Sequence, residues 1–264
     1  MPSSLHSHHI TKNHKNLPLL QQKMLPKILI GIPTFDGQKY CKEEFFESVK
    51  SLTYLNADVL ITDNSETDTY TKDLETIKVP YGKLHVQRLL PKGTRIERII
   101  QNRNAIRAHF LEHHYDYLLF LDSDVIAPKD VIEQLLALQS DIASGLYLSR
   151  QQVAPNKFDI IPTVYISHGK DSVQTLTQEQ AQQKGTFDII ICGLGCTLIK
   201  RHVLFALSFH QYNSESSTGS EDVAFCLDAK KNNFTMKATS SVLCDHVGKQ
   251  QRLSFNPTFS YSLE

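Results

Sequence analysis

Residues 117–124 read YLLFLDSD: five consecutive apolar or aromatic residues, then two carboxylates separated by one serine. A short apolar run that ends abruptly in polar turn residues has the length of a fully buried strand, as in a parallel sheet covered on both faces. The same grammar precedes it. KILIGI at 27–32 ends at Pro33, DVLIT at 58–62 stops at Asp63, Asn64 and Ser65, and residues 84–90 close at Pro91 and Gly93. Helical spacing fills the gaps: Phe45, Phe46, Val49 and Leu52 within 42–52, a polar segment at 69–77, and a long stretch over 95–113. Pro128 opens a further helix through Leu138, and residues 141–148 make a fifth strand. This alternation predicts an α/β fold, a single Rossmann-like domain with a mostly parallel central sheet. The second half is mixed: strands at 158–166 and 187–191, a loop or surface helix at 174–184, a helix at 221–232 and a strand at 234–238. The expected division is a flexible polar tail over 1–26, one domain over 27–250 and a C-terminal tail over 251–264.

Composition narrows the function classes. The 264 residues carry 28 Lys plus Arg against 28 Asp plus Glu, and 41% are hydrophobic. Such a chain is not disordered as a whole. Without basic excess it is not built to bind a nucleic acid polymer or an anionic membrane. No stretch reaches the roughly 18 apolar residues of a membrane span. The opening MPSSLHSHHITKNHKN lacks the apolar core of a signal peptide, and its His6, His8, His9 and His14 read as a solvated tail. The five cysteines, Cys41, Cys192, Cys196, Cys226 and Cys244, form no CxxC pair and read as small core residues of a reducing compartment. A cytoplasmic location is the expectation.

In open α/β sheets, ligands bind beyond the carboxyl ends of the strands. Those ends carry Pro33, Thr34 and Phe35; Asp63, Asn64 and Ser65; Asp122, Ser123 and Asp124. The first turn, GIPTFDG, is neither GxGxxG nor a P-loop, so backbone amides do not wrap phosphate there. Carboxylates repel phosphate unless a cation stands between. On an extended chain Asp122 and Asp124 point the same way. At ~4 Å and an effective dielectric near 20 they repel by about 4 kcal/mol. A hard divalent cation offsets that; the other reading is an ordinary strand-ending turn or helix cap. Arg103 shares a helical face with Ile99, Ile106 and Phe110, so its charge needs an anion: a carboxylate such as Asp122, or a bound phosphate or sugar. Thr218-Gly-Ser-Glu221 fits a capping box, which leaves Asp222 facing elsewhere.

These segments, in order, resemble nucleotide-sugar glycosyltransferases of the glycosyltransferase A fold, especially family two. FLDSDVIAPKDVIEQLL resembles their DxD segment, ILIGIPTF their opening strand and VLITDNSETD their VIVDDGSxD segment. QNRNAIRAHF resembles their ARNxG-like helix, GLGCTLIKRHVL the glycine-containing acceptor-side strand, GSEDVAFCLDAKKNNF the ED helix, and CDHVGK the late-histidine segment. The likeness spans about 27–249. Two departures stand out: DNS replaces DDGS, and no QxxRW follows the ED helix, which argues against a processive polysaccharide synthase.

The resemblance implies a nucleotide-binding half over 27–125 and an acceptor-side half over 126–250. It implies nucleotide-sugar contacts at Pro33, Thr34, Asp63, Arg103, Asn104, Asp122, Ser123, Gly193 and Gly195. It implies Mn²⁺ or Mg²⁺ held by Asp122, Asp124 and His246, and Asp222 as general base beside Glu221. The reaction so implied moves one sugar, with inversion, from a UDP- or GDP-linked donor to a hydroxyl of a glycan, lipid-linked or protein acceptor. The loop at 214–220 is expected to order over the donor. A nucleotidyltransferase that makes nucleotide sugars, and a non-catalytic sugar-nucleotide-binding module, are the rival readings.

Overall fold

Burial dictates the sheet. In the computed structural model, which describes residues 25–169, 172–213 and 218–262, the apolar runs pair side by side. The first half supplies β1 (Ile28–Thr34), β2 (Ala57–Asp63), β3 (Leu84–Arg88), β4 (Tyr117–Leu121), the short β5 (Val125–Ile126) and β6 (Ile142–Leu146). Then follow β7 (Leu148–Ala154), β8 (Lys157–Pro162), β9 (Val164–His168), β10 (Ser172–Thr175), β11 (Thr186–Asp188), β12 (Ile191–Cys192) and β13 (Cys196–Lys200). The chain closes with β14 (Tyr212–Asn213), β15 (Thr218–Gly219), β16 (Met236–Leu243), β17 (Asp245–Val247), β18 (Gln251–Leu253) and β19 (Tyr261–Ser262). The helices are α1 (Lys42–Lys50), α2 (Thr69–Glu75), α3 (Arg95–Glu112), α4 (Val131–Leu136), α5 (Gln178–Gln182), α6 (Arg201–Ala206) and α7 (Glu221–Lys231).

The central sheet has eight strands in the order β11-β16-β6-β13-β4-β1-β2-β3. The strands β1 to β4 pair in parallel and β13 runs antiparallel between β4 and β6, so the sheet is mostly parallel, as expected. Every residue of β2 is buried, and Ile28, Leu29, Ile30 and Ile32 of β1 are fully so. Each such side chain contributes about 1.5–3 kcal/mol relative to exposure. Gly31 lets α3 lie close on β1, since a Cβ there would sit 2.5 Å from Ile106 Cγ2. The N-terminus of α3 is fixed by a reciprocal cap: Thr94 Oγ1 accepts from Glu97 N, and Glu97 Oε2 accepts from Thr94 N. All five cysteines are free and buried, as read.

Several expected boundaries move. The strand expected at 141–148 ends at Leu146, and Leu148 begins a hairpin of β7 with β8. The strand expected at 158–166 is two strands that break at Thr163 and join different sheets. The segment at 174–184 holds the end of β10 and the surface helix α5, and 187–191 is split between β11 and β12. Pro128 lies before its helix, accepting from Val131 N at 3.0 Å. The segment expected as a C-terminal tail is folded in: β18 pairs with β17 and β19, and Leu253 and Phe255 are buried. Leu25 and Pro26, expected in the N-terminal tail, accept hydrogen bonds from Asn56 and Tyr54. The histidines of residues 1–24 and most of the loop expected to close over the donor lie outside the described residues. No helix among the described residues is long and apolar enough to cross a membrane.

Candidate active site

The carboxyl ends of β1, β2 and β4 open into a cleft of about 520 Å³. It is lined by Pro33, Thr34, Phe35 and Asn64, by Arg95 and Arg98 of α3, and by the carboxylates of Asp122, Asp124, Glu221 and Asp222. Asn102 and Arg103 of α3 and Ser123 line it too.

Arg103 realises the first of its two readings. Its side chain is only 4% exposed; Nε donates to Glu221 Oε1 at 2.9 Å and Nη2 to both oxygens of Asp122 at 3.1 and 3.2 Å. The guanidinium also lies over the Phe120 ring, 4.9 Å from its centroid. Burial opposes its charge, but Asp122 and Glu221 outweigh that and hold it above its usual range. Its buried Nη1 has no partner among the described residues. Glu221 therefore does not close a capping box: Ser220 is the N-cap and its hydroxyl bonds Asp222 Oδ1 instead.

The two aspartates of the DSD segment do not stand on an extended chain. Val125 N donates to Asp122 O at 2.9 Å, and the resulting turn sends the carboxylates to different partners. Asp122 goes to Arg103, so as it stands it is a guanidinium partner rather than an open metal ligand. Burial, with Asp124 and Glu221 nearby, pushes its carboxyl up to about 6 in spite of Arg103. Asp124 accepts from Gln38 Nε2 at 2.9 Å and lies 3.7 Å from His246 Nε2. Strand pairing brings His246 there: β17 sets it opposite Val125 of β5, and Val247 N donates to Asp124 O.

Among the described residues no three His, Cys, Asp or Glu side chains form a ready-made metal shell. The pair Asp124 and His246 nevertheless fits a divalent ion. His246 Nδ1 lies 2.9 Å from the Leu148 carbonyl, which can only accept, so in the neutral ring Nε2 presents its lone pair on the Asp124 side. Gln38 Oε1, buried and without a hydrogen-bond partner among the described residues, is a further oxygen near them. Without an ion, Asp124 and the Leu148 carbonyl raise the His246 pKa against burial.

Asp222 lies in the cleft with Ser220 Oγ and Val223 N on one oxygen, Oδ1. Burial, then Glu221, holds its carboxyl above the usual carboxylate range.

Other expected positions part from the cleft. Asp63 is fully buried beneath it, accepting from Ser65 N, Ser65 Oγ and Thr71 Oγ1, and its neighbour Asn64 faces the cleft instead. Asn104 clamps the Phe209 backbone, donating to its carbonyl at 2.7 Å and accepting from its amide at 3.1 Å. Gly193 and Gly195 make room for Tyr147 rather than opening directly on a ligand. A Cβ would stand 2.2 Å from the Tyr147 hydroxyl at Gly193, and 2.8 Å at Gly195. Cleft residues that the sequence reading did not single out include Gln38, Asn102 and Tyr147, with Arg95, Arg98 and Leu194. Buried Asn102 Oδ1 has no hydrogen-bond partner among the described residues, the mark of a polar atom placed for a ligand.

A mostly parallel α/β sheet with an acidic cleft at its strand ends is the architecture of the glycosyltransferase A fold. The description "Glycosyl transferase family 2" matches residues 29–206. The chain belongs to glycosyl transferase family 2 and is a glycosyltransferase. Among solved structures it is similar to A197 from STIV, with a TM-score of 0.52 at 17% identity, covering 90% of this chain and 94% of that one. It is also similar to S. aureus TarS, with a TM-score of 0.51 at 15% identity over 80% of this chain and 35% of that one. Residues 1–349 of TarS in complex with UDP-GlcNAc give a TM-score of 0.51 at 15% identity, covering 81% of this chain and 56% of that one. The chain thus spans about a third to a little over half of these TarS chains. No curated protein matches it in sequence.

Proposed function

We propose that this glycosyltransferase moves one sugar from a UDP- or GDP-linked donor to an acceptor hydroxyl, with inversion, aided by Mn²⁺ or Mg²⁺. The observation that carries the reading is one cleft lined both by Asp124, which lies 3.7 Å from His246 Nε2, and by Asp222, whose carboxyl burial raises. A solved complex of TarS, similar in fold, contains UDP-GlcNAc, which suits a donor of this class.

Asp124 and His246 would hold the cation, and a nitrogen donor beside carboxylate oxygen favours Mn²⁺ while admitting Mg²⁺. When bound, the ion supplies charge neutralisation for the donor diphosphate. The protein's own groups do the rest. Arg103 keeps Asp122 and Glu221 paired and leaves Nη1 free to donate to the donor. Asp222 takes the acceptor proton as the hydroxyl attacks the anomeric carbon from the face opposite the leaving diphosphate. With one base and no interposed nucleophile, the configuration inverts. Glu221, held by Arg103, positions the helix start that carries Asp222.

The test is turnover. Purified protein with Mn²⁺ is expected to hydrolyse or transfer sugar from at least one UDP- or GDP-hexose. The Asp222→Asn variant should lose about 10²–10⁴-fold in kcat with nucleotide diphosphate affinity unchanged. Full kcat in Asp222→Asn would remove the assigned base.

A further inference from the structure

Tyr147 is the part of the cleft that the reaction above leaves unused. It sits in the single residue between β6 and β7, where the expected strand breaks, and is almost fully buried. Its hydroxyl accepts from Gly195 N at 3.2 Å, and its proton has no acceptor among the described residues. Two positions are glycine where a Cβ would strike this hydroxyl. The ring is fixed as well, set edge-on against His246 with centroids 5.6 Å apart. A phenol so immobilised, on a residue that lines the cleft, has a hydrogen bond still to donate.

Its place in the cleft selects the partner. The Cβ position of Gly195 lies 2.8 Å from the Tyr147 hydroxyl and 3.2 Å from Asp122 Oδ2, so the phenol flanks the end of β4. Asp222, at the start of α7, lines the same cleft. If the diphosphate lies by Asp124 and His246 and the acceptor by Asp222, the transferred sugar lies in the same cleft, which Tyr147 also lines. A sugar offers hydroxyl and ring oxygens as acceptors; burial and the nearby carboxylates keep the phenol protonated and able to donate.

We infer that the Tyr147 hydroxyl donates a hydrogen bond to the sugar of the bound donor and contributes to which sugar is accepted. This rests on the donor reading above. Tyr147→Phe removes only the hydroxyl and keeps the ring against His246. Binding is measured with Mn²⁺ for UDP, GDP and a panel of UDP- and GDP-linked hexoses, and KM and kcat for those turned over. Tyr147→Phe is expected to weaken the sugar conjugates about 3- to 10-fold and leave the bare diphosphates within about twofold, with KM rising for the conjugate. Gly193→Ala, whose Cβ would displace the phenol, should copy this loss, and adding it to Tyr147→Phe should cost little more.

Unchanged binding and KM for every conjugate in Tyr147→Phe would overturn the inference. So would equal weakening of diphosphates and conjugates, which would make the phenol a support for the cleft. If the wild type binds diphosphates and conjugates equally, sugar contact fails while nucleotide binding stands. If it binds neither, the donor reading itself fails, and this inference with it.

Discussion

Arg103 shows how one buried charge ties the site to the fold. Its guanidinium joins α3, the end of β4 and the start of α7 through Asp122 and Glu221. Removing it leaves two carboxylates facing each other without a counter-charge, at a cost of about 3–5 kcal/mol. Arg103→Met is therefore expected to lower stability in urea unfolding by that order, and Arg103→Lys to recover only part, since one ammonium cannot reproduce the fork. Asp222 carries the opposite sign of effect. Its folded carboxyl titrates above its unfolded value, so the folded state binds the extra proton, and stability falls as pH rises from the unfolded pKa through the folded one. Asp222→Asn should thus raise Tm at neutral pH, with the gain vanishing below the ordinary carboxylate range near ~4. A variant that loses activity while gaining stability is the signature of a strained functional carboxylate; an unchanged or lowered Tm at neutral pH would contradict the sign.

At the scale of elements, the histidine site is made by pairing across the chain. The short strands β5 and β17 set His246 opposite Val125, and β18 covers β17 with Leu253 facing His246 in register. Leu253→Ala is expected to cost about 2–5 kcal/mol by denaturant unfolding, and to weaken Mn²⁺-dependent nucleotide binding with it. This arrangement also marks the limit of what the residues revealed. The apolar runs of β1, β2 and β4 announced themselves because burial on both faces leaves no alternation to confuse. Strands β5, β17 and β18 have two or three residues each and carry no periodicity, so residues 251–264 read as a tail. Gln38 and Asn102 were missed because neutral amides have no titration or spacing signature. Tyr147 was hidden inside what looked like one continuous strand. Asp63 and Asn104, expected to contact the donor, have side chains held by local partners, Thr71 and the Phe209 backbone, which neither motif nor spacing announces.

At the scale of the whole molecule, the eight-stranded sheet joins both halves of the chain, with β13 inserted antiparallel beside β4. That insertion sets Gly195 against the end of β4, where Asp122 N donates to Gly195 O at 3.0 Å, and so brings residues of the second half of the chain to the strand ends of the first. The cleft so formed is lined by four carboxylates, of which Arg103 pairs two, Asp122 and Glu221; beside the unpaired Asp124 a diphosphate is disfavoured unless a divalent ion lies between. Calorimetric titration of UDP and GDP into the wild type and Asp124→Ala, each with and without Mn²⁺, addresses this most directly. The expected result is that Mn²⁺ tightens wild-type binding of one nucleotide by about tenfold or more and leaves Asp124→Ala without that gain. Equal affinity with and without Mn²⁺ in the wild type, or an undiminished gain in Asp124→Ala, would contradict it.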